Sequence, residues 1–246
     1  MATVTRDTST PLAIDLKRRP GGLRILVTGR IGSGKSALIN CMVGSDVAEE
    51  GDSPNGTTMS VMKYKTQHQG LLVTIYDSPG LHDRMHWKRY LVALRKVCPA
   101  ANLNLYCVKI NDKINPARDI ELLSKVYGSE KFWQDTIIVL TFANEGTAGD
   151  WTERSSMLHD KLISTGINKR IADNVKVVLV GSCKESHLEV INSDDWLSEL
   201  MECLLGVALD RFRKELSVCN RLDIMFSARK LVPVVIIRHR VAELVG

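Results

Sequence analysis

The segment Gly29-Arg30-Ile31-Gly32-Ser33-Gly34-Lys35-Ser36 fits the pattern G-x-x-x-x-G-K-[ST], which is built to hold a polyphosphate. Its glycines let the backbone wrap an anion closely, in conformations that side chains disfavour. The amides of the loop, and those of the helix expected to begin near Ser36, then point at phosphate oxygens. Lys35 supplies an ammonium to the outer phosphates, and the Ser36 hydroxyl is a ligand for Mg2+. Phosphate contacts are therefore assigned to Arg30, Ile31, Gly32, Ser33, Gly34, Lys35, Ser36 and Ala37.

A second group follows 42 positions after Lys35, at Asp77-Ser78-Pro79-Gly80. A carboxylate at a strand tip beside a phosphate loop holds Mg2+ through water, and the Gly80 amide can sense a terminal phosphate. Between the two lies a polar stretch with Gly51, Pro54 and Gly56, read as a mobile loop. Thr58, with Thr57 as its rival, is the candidate there for Mg2+ ligation, and an exposed turn is the plainer alternative. Lys35, Thr58 and Gly80 form the candidate catalytic set, and Ser36, Thr58 and Asp77 the candidate metal set.

For the base, Thr141-Phe142-Ala143-Asn144 stands where [NT]-K-x-D is usual in GTPases. Asn144 offers one acceptor and one donor group where a carboxylate offers only acceptors, which weakens discrimination of guanine. The Phe142 ring either stacks on the base or simply ends a strand. Gly181-Ser182-Cys183-Lys184 resembles the turn that meets guanine O6, so Ser182 and Cys183 join the set. Leu81 follows Gly80 where many small GTPases carry a water-orienting glutamine. Candidates for the missing group are His82, Asp83, Arg84, His86, Arg30 and Lys184, or a residue supplied by a second copy.

The elements that must position these groups alternate. Strands are expected over 23–28, 61–66, 71–76, 103–110, 136–141 and 175–180, and helices over 36–43, 87–97, 117–127, 152–164, 196–205 and 207–222. Strands separated by helices predict an α/β fold of three layers, with a mostly parallel sheet and helices on both faces. Residues 1–20 are expected to form a disordered arm, 21–218 one nucleotide-binding domain and 219–246 a tail. In that tail Leu231–Ile237 is apolar and flanked by basic residues; it is expected to pack back as an edge strand or to dock on a membrane surface or a protein partner.

The 246 residues carry a net charge of +5 without a long basic run, Lys17-Arg18-Arg19 being the densest cluster, and no nucleic-acid partner is expected. The six cysteines lack metal spacing and are expected to be reduced, in a cytoplasmic protein peripheral to a membrane at most. No apolar stretch reaches the roughly 20 residues of a membrane-spanning helix.

Gly29–Ser36 with Ala37, Asn40 and Gly44, and Asp77-Ser78-Pro79-Gly80-Leu81, resemble the immune-associated nucleotide-binding GTPases. They are also similar to the chloroplast outer-envelope import GTPases, grouped with septins in one superfamily. The resemblance spans about residues 22–205. It implies GTP and GDP as ligands with Mg2+, low intrinsic turnover, and a nucleotide-dependent homodimer formed through the switch face. It also implies Asn144 and Ser182 at the base.

Overall fold

Three strands at the centre of the sheet alternate with period two, and each buries both of its faces. In β1 (Leu23–Gly29), Ile25 and Val27 point to one side and Leu26 to the other. β4 (Leu103–Lys109) sends Leu103, Leu105 and Cys107 to the first side and Tyr106 and Val108 to the second. β5 (Thr136–Thr141) divides Ile137 and Val139 from Ile138 and Leu140 in the same way. Strands buried on both faces require a helical layer on each, as parallel sheets generally do.

The computed structural model describes residues 22–48, 61–68, 70–81, 87–97, 101–126, 128–181, 190 and 193–229. Its sheet has the order β2-β3-β1-β4-β5-β6, with β2 (Met62–His68), β3 (Leu71–Asp77) and β6 (Lys176–Leu179). Only β2 runs antiparallel, paired with β3 at the edge. This is the three-layer P-loop GTPase fold expected from the sequence.

One layer holds α1 (Lys35–Val43) and α7 (Trp196–Arg229), which bury Leu38, Ile39, Trp196, Leu200 and Leu204 against the sheet. The other layer holds α2 (Trp87–Val97), α3 (Ala117–Ser124), α4 (Ser129–Gln134), α5 (Ala148–Ser164) and the short α6 (Lys169–Ala172). Phe132 and Trp133 of α4 lie in its core, and Trp133 meets the Tyr106 ring edge-on at 5.8 Å. Its indole N–H donates to Ser124 Oγ at 2.8 Å, so the ring is buried without losing its hydrogen bond.

Several boundaries depart from expectation. The helix predicted over 117–127 stops at Ser124, and a separate α4 follows Gly128. α5 starts four residues early because Thr147 and Asp150 form a reciprocal capping box. The two helices expected after residue 196 are one, continuous to Arg229. Cys41 is disulfide-bonded, contrary to the expectation of reduced thiols, whereas Cys107 and Cys203 are free. Among the described residues no helix is long and apolar enough to cross a membrane. The N-terminal arm and Leu231–Ile237 lie outside the described residues.

The end of α1 is fixed by one side chain. Asn40 Oδ1 accepts from the amides of Val47 and Ala48 at 3.0 and 2.8 Å, and its Nδ2 donates to Ala48 O at 3.0 Å. Gly44 takes a left-handed φ of 77° and returns its amide to Asn40 O, closing the helix. This anchors the chain where it leaves α1. Asn40→Ala leaves the buried Ala48 amide and carbonyl without this partner and is expected to destabilise the protein by about 1–3 kcal/mol in urea unfolding.

Candidate functional site

The phosphate loop links the end of β1 to α1 and is held from three sides. Its glycines Gly29, Gly32 and Gly34 have φ of 148°, 73° and 75°. Gly29 also lies so close to β4 that a Cβ there would stand 2.4 Å from Cys107 O. Glycine is required at that point by contact as well as by φ. Cys107 itself is no nucleophile, since burial pushes its thiol up to about 12. From β5, the Thr141 hydroxyl donates to Ser33 O at 3.0 Å.

Within this cradle Lys35 folds back over the loop. Its Nζ donates to Arg30 O at 2.8 Å and to Gly29 O at 3.3 Å. The ammonium is thereby buried where loop amides converge, at the first turn of α1, the position a bound anion needs. Ser36 and Ala37 follow it, both half-buried, while Ile31 and Gly32 form the exposed rim.

The Asp77–Leu81 turn is stitched to the same loop. Ser78 N donates to Val27 O at 3.1 Å, Leu81 N to Gly29 O at 2.9 Å, and Ile31 N to Leu81 O at 3.0 Å. Gly80 lies against Ile31, where a Cβ would come within 2.6 Å of its Cγ1. The sequence pattern placed these two segments 42 residues apart along the chain; the sheet brings them into main-chain contact, because β3 pairs with β1.

Two buried polar atoms in this region have no protein partner, Asp77 Oδ1 and Ser33 Oγ. An orphaned carboxylate oxygen beside a phosphate loop fits a hydrated cation, and Asp77 with Ser36 is a hard-oxygen donor set of the kind Mg2+ takes. Burial raises the Asp77 pKa from 3.8 to about 6, and the nearby Lys35 ammonium pulls it back only in part.

At the far end, Phe142 touches the loop. Its Cε2 would stand 3.2 Å from a Cβ on Gly34, and its ring carries the Lys109 ammonium at 4.4 Å from the centroid. Phe142 has φ 59°, the only non-glycine positive φ among the described residues. A bulky residue in that region is strained and signals a functional constraint. Asn144 lies two residues on, exposed, in the 3-10 turn Ala143–Glu145. Lys109 escaped the sequence reading, since a lone lysine ending a strand carries no motif.

Other sequence candidates are placed differently or fall outside. The Arg30 guanidinium reaches Asp119 on α3, at 2.7 Å from Nε and 3.0 Å from Nη2, while its carbonyl accepts from Lys35 in the loop. Leu81 is buried. Thr57, Thr58, His82, Asp83, Arg84, His86, Ser182, Cys183 and Lys184 lie outside the described residues.

Together the sheet order, the glycine cradle and the stitched acidic turn define a P-loop GTPase domain. Comparison with known proteins agrees. The family described as 50S ribosome-binding GTPase matches residues 24–141. The chain is 31% identical over 130 residues to Translocase of chloroplast 159 of Arabidopsis thaliana, covering 49% of this chain and 8% of that protein. With Translocase of chloroplast 33 of the same plant it shares 24% over 240 residues, covering 87% and 80%. GTPase Der of Nautilia profundicola is 26% identical over 141 residues, covering 56% and 28%. The chain thus spans only a small part of two of these relatives and most of the third. Among solved structures, Arabidopsis Toc33 in complex with Mg2+ and GMPPNP shares the fold at a TM-score of 0.66 and 18% identity, over 76% of this chain and 85% of that one. The chain has the P-loop GTPase fold and is similar in sequence to the chloroplast translocase GTPases.

The Asp77 shift has a consequence of definite sign. Its folded pKa lies above the unfolded value, so folding favours the protonated acid, and this contribution is lost as pH rises from about 4 through 6. In protein free of nucleotide and metal, Asp77→Asn is therefore expected to raise Tm by a few degrees at pH 8 and not at pH 4. Equal shifts at both pH values in a melting series would contradict the assignment.

Proposed function

We propose that the protein binds GTP and GDP with Mg2+ and works as a switch or assembly GTPase of low intrinsic rate. The observation that carries this is the joint cradle: Lys35 held over the carbonyls of Gly29 and Arg30, with the Asp77–Leu81 turn bonded to the same loop. Loop amides and the Lys35 ammonium bind and orient the phosphates. Ser36 and Asp77 hold the cation, which neutralises charge on the phosphate oxygens, and Thr58 joins them while a terminal phosphate is present. The Gly80 amide reads that phosphate, and its loss frees the turn from one side. Phe142 and Asn144, with Ser182 and Cys183, face the base.

Slow turnover is supported by Leu81. Its side chain is buried in the core beneath α2, and it cannot hydrogen-bond a water in any orientation. A group from a second copy or a partner docked on the switch face is then the source of faster hydrolysis. For the chloroplast translocon components atToc33 and psToc159, dimerisation is important for GTPase activity. The same burial favours a second reading, a scaffold gated by GTP that hardly hydrolyses it, and single-turnover hydrolysis with and without a crosslinked dimer separates the two. A finer kinship with immune-associated GTPases rests on Gly29–Gly44 and Asp77–Leu81 in sequence. A cytoplasmic protein, peripheral to a membrane through its tail at most, completes the proposal.

Lys35→Ala removes the only cation inside the loop's main-chain cradle among the described residues. By calorimetry in Mg2+ buffer it is expected to weaken GTP binding at least about 100-fold, or about 2.8 kcal/mol. Retained affinity would sink the reading. In a second measurement, Asn144→Asp is expected to increase the preference for GTP over ATP, and an unchanged ratio would remove Asn144 from the base site.

A further inference from the structure

We infer that Asp119 is a positioning residue for the phosphate loop, acting through Arg30 and tying the nucleotide site to α3. The inference rests on the functional reading above and adds to it a second helix whose position the loop feels.

The Arg30 peptide is a junction of the loop. Its carbonyl accepts from Lys35 Nζ at 2.8 Å and from Ser33 N at 3.2 Å, and its peptide forms a parallel bridge with Leu81. Where the Arg30 peptide sits therefore decides where the ammonium sits and where the Gly80 amide points. The side chain of the same residue is fixed by a two-pronged ion pair with Asp119, 89 residues later, and both side chains are largely buried at 15% and 7% exposure. Such a fork specifies angle as well as distance.

The local chemistry of α3 frees Asp119 for this task. Asp119 is the third residue of the helix, the position from which an acidic side chain ordinarily reaches back to the amide of the capping residue. Here the capping residue is Pro116, which has no amide hydrogen, and Asn115 Oδ1 takes the Ala117 amide instead. The carboxylate crosses to Arg30, and Tyr106 OH donates to its Oδ2 at 3.3 Å. Burial and the neighbouring carboxylate keep Tyr106 protonated, so it remains a donor.

Behind the loop, Arg30, Ser33, Tyr106, Asp119 and Arg154 line part of a small cavity of about 10 Å³. The Arg30–Asp119 fork spans this gap between the loop and α3. Arg154 adds a second buried guanidinium to this lining, with long bonds of 3.4 Å to Ile114 O and a contact of 3.8 Å to Met157 Sδ. Removing the Asp119 charge leaves Arg30 beside another cation and drives its side chain, and with it the loop peptide, to a new place.

The test compares GTP affinity and thermal stability across one set of variants. Asp119→Asn is expected to weaken Mg2+-dependent GTP binding about tenfold, and Arg30→Lys, which keeps the charge and loses the fork, to weaken it severalfold. Replacing both partners by apolar residues, Arg30→Met with Asp119→Leu, is expected to restore Tm while leaving affinity low. Asp173→Asn, which cuts the His159 contact at 2.8 Å far from the loop, is expected to leave affinity unchanged. Affinity that recovers together with Tm in the apolar pair, or unchanged affinity in Asp119→Asn, overturns the positioning role while wild-type binding stands. If Asp119→Asn does not fold, Arg30→Lys decides by the same criterion. Absence of GTP binding by the unsubstituted chain removes the functional reading itself, and this inference with it.

Discussion

The structure depends on a cation buried among carbonyl oxygens. Lys35 Nζ has given up water for the Gly29 and Arg30 carbonyls, and burying an ammonium is costly unless its donors are satisfied. Those carbonyls must therefore be held in place without the ligand. Parallel pairing of β1 with both β3 and β4 does this, since it places the loop between two strand ends, one carrying Asp77 and the other Cys107. The glycines follow from that constraint: Gly29 meets the β4 backbone and Gly80 meets Ile31, so neither tolerates a side chain. The cradle is preorganised for a polyphosphate because it already has to solvate its own lysine.

How much of this was legible in the sequence follows from how local each signal is. The loop, α1 and the Asp77–Gly80 turn were readable because their chemistry lies in contiguous residues. β5 was predicted to the residue, its run of Thr136–Thr141 being β-branched except for Leu140 and bounded by Asp135 and Phe142. α4 was missed because its six residues are too few for a helical period to register, and burial of Phe132 and Trp133 stabilises it through tertiary contact. Asp119 was equally invisible: an aspartate early in a helix reads as a favourable end charge, and nothing local says that it will cross to Arg30. Arg30 was assigned to phosphate by its place in the motif, and its side chain goes elsewhere because a buried carboxylate is available.

The end of β5 shows the same contest between local preference and tertiary demand. Phe142 adopts a left-handed backbone that an aromatic residue avoids, immediately after a fully buried strand. Two contacts select it. Thr141 must turn its hydroxyl to Ser33 O, and the Phe142 ring must lie between Gly34 and the Lys109 ammonium. Lys109 at the end of β4 thus holds its ammonium over the ring, and Glu145 stands 4.0 Å from it. Sequence pattern alone presented Phe142 as a departure; in three dimensions it is one half of an aromatic–cation pair on the loop.

Leu81 connects the phosphate loop to the core. Its amide and carbonyl are both committed to the phosphate loop, and its buried side chain belongs to the same core cluster as Tyr90 and Leu91 of α2. A polar side chain at this position would have to be buried in that cluster or pull out of it. The residue that bonds the turn to the loop through its main chain is thus also the one that ties the turn to the core through its side chain, and position 81 serves both contacts at once.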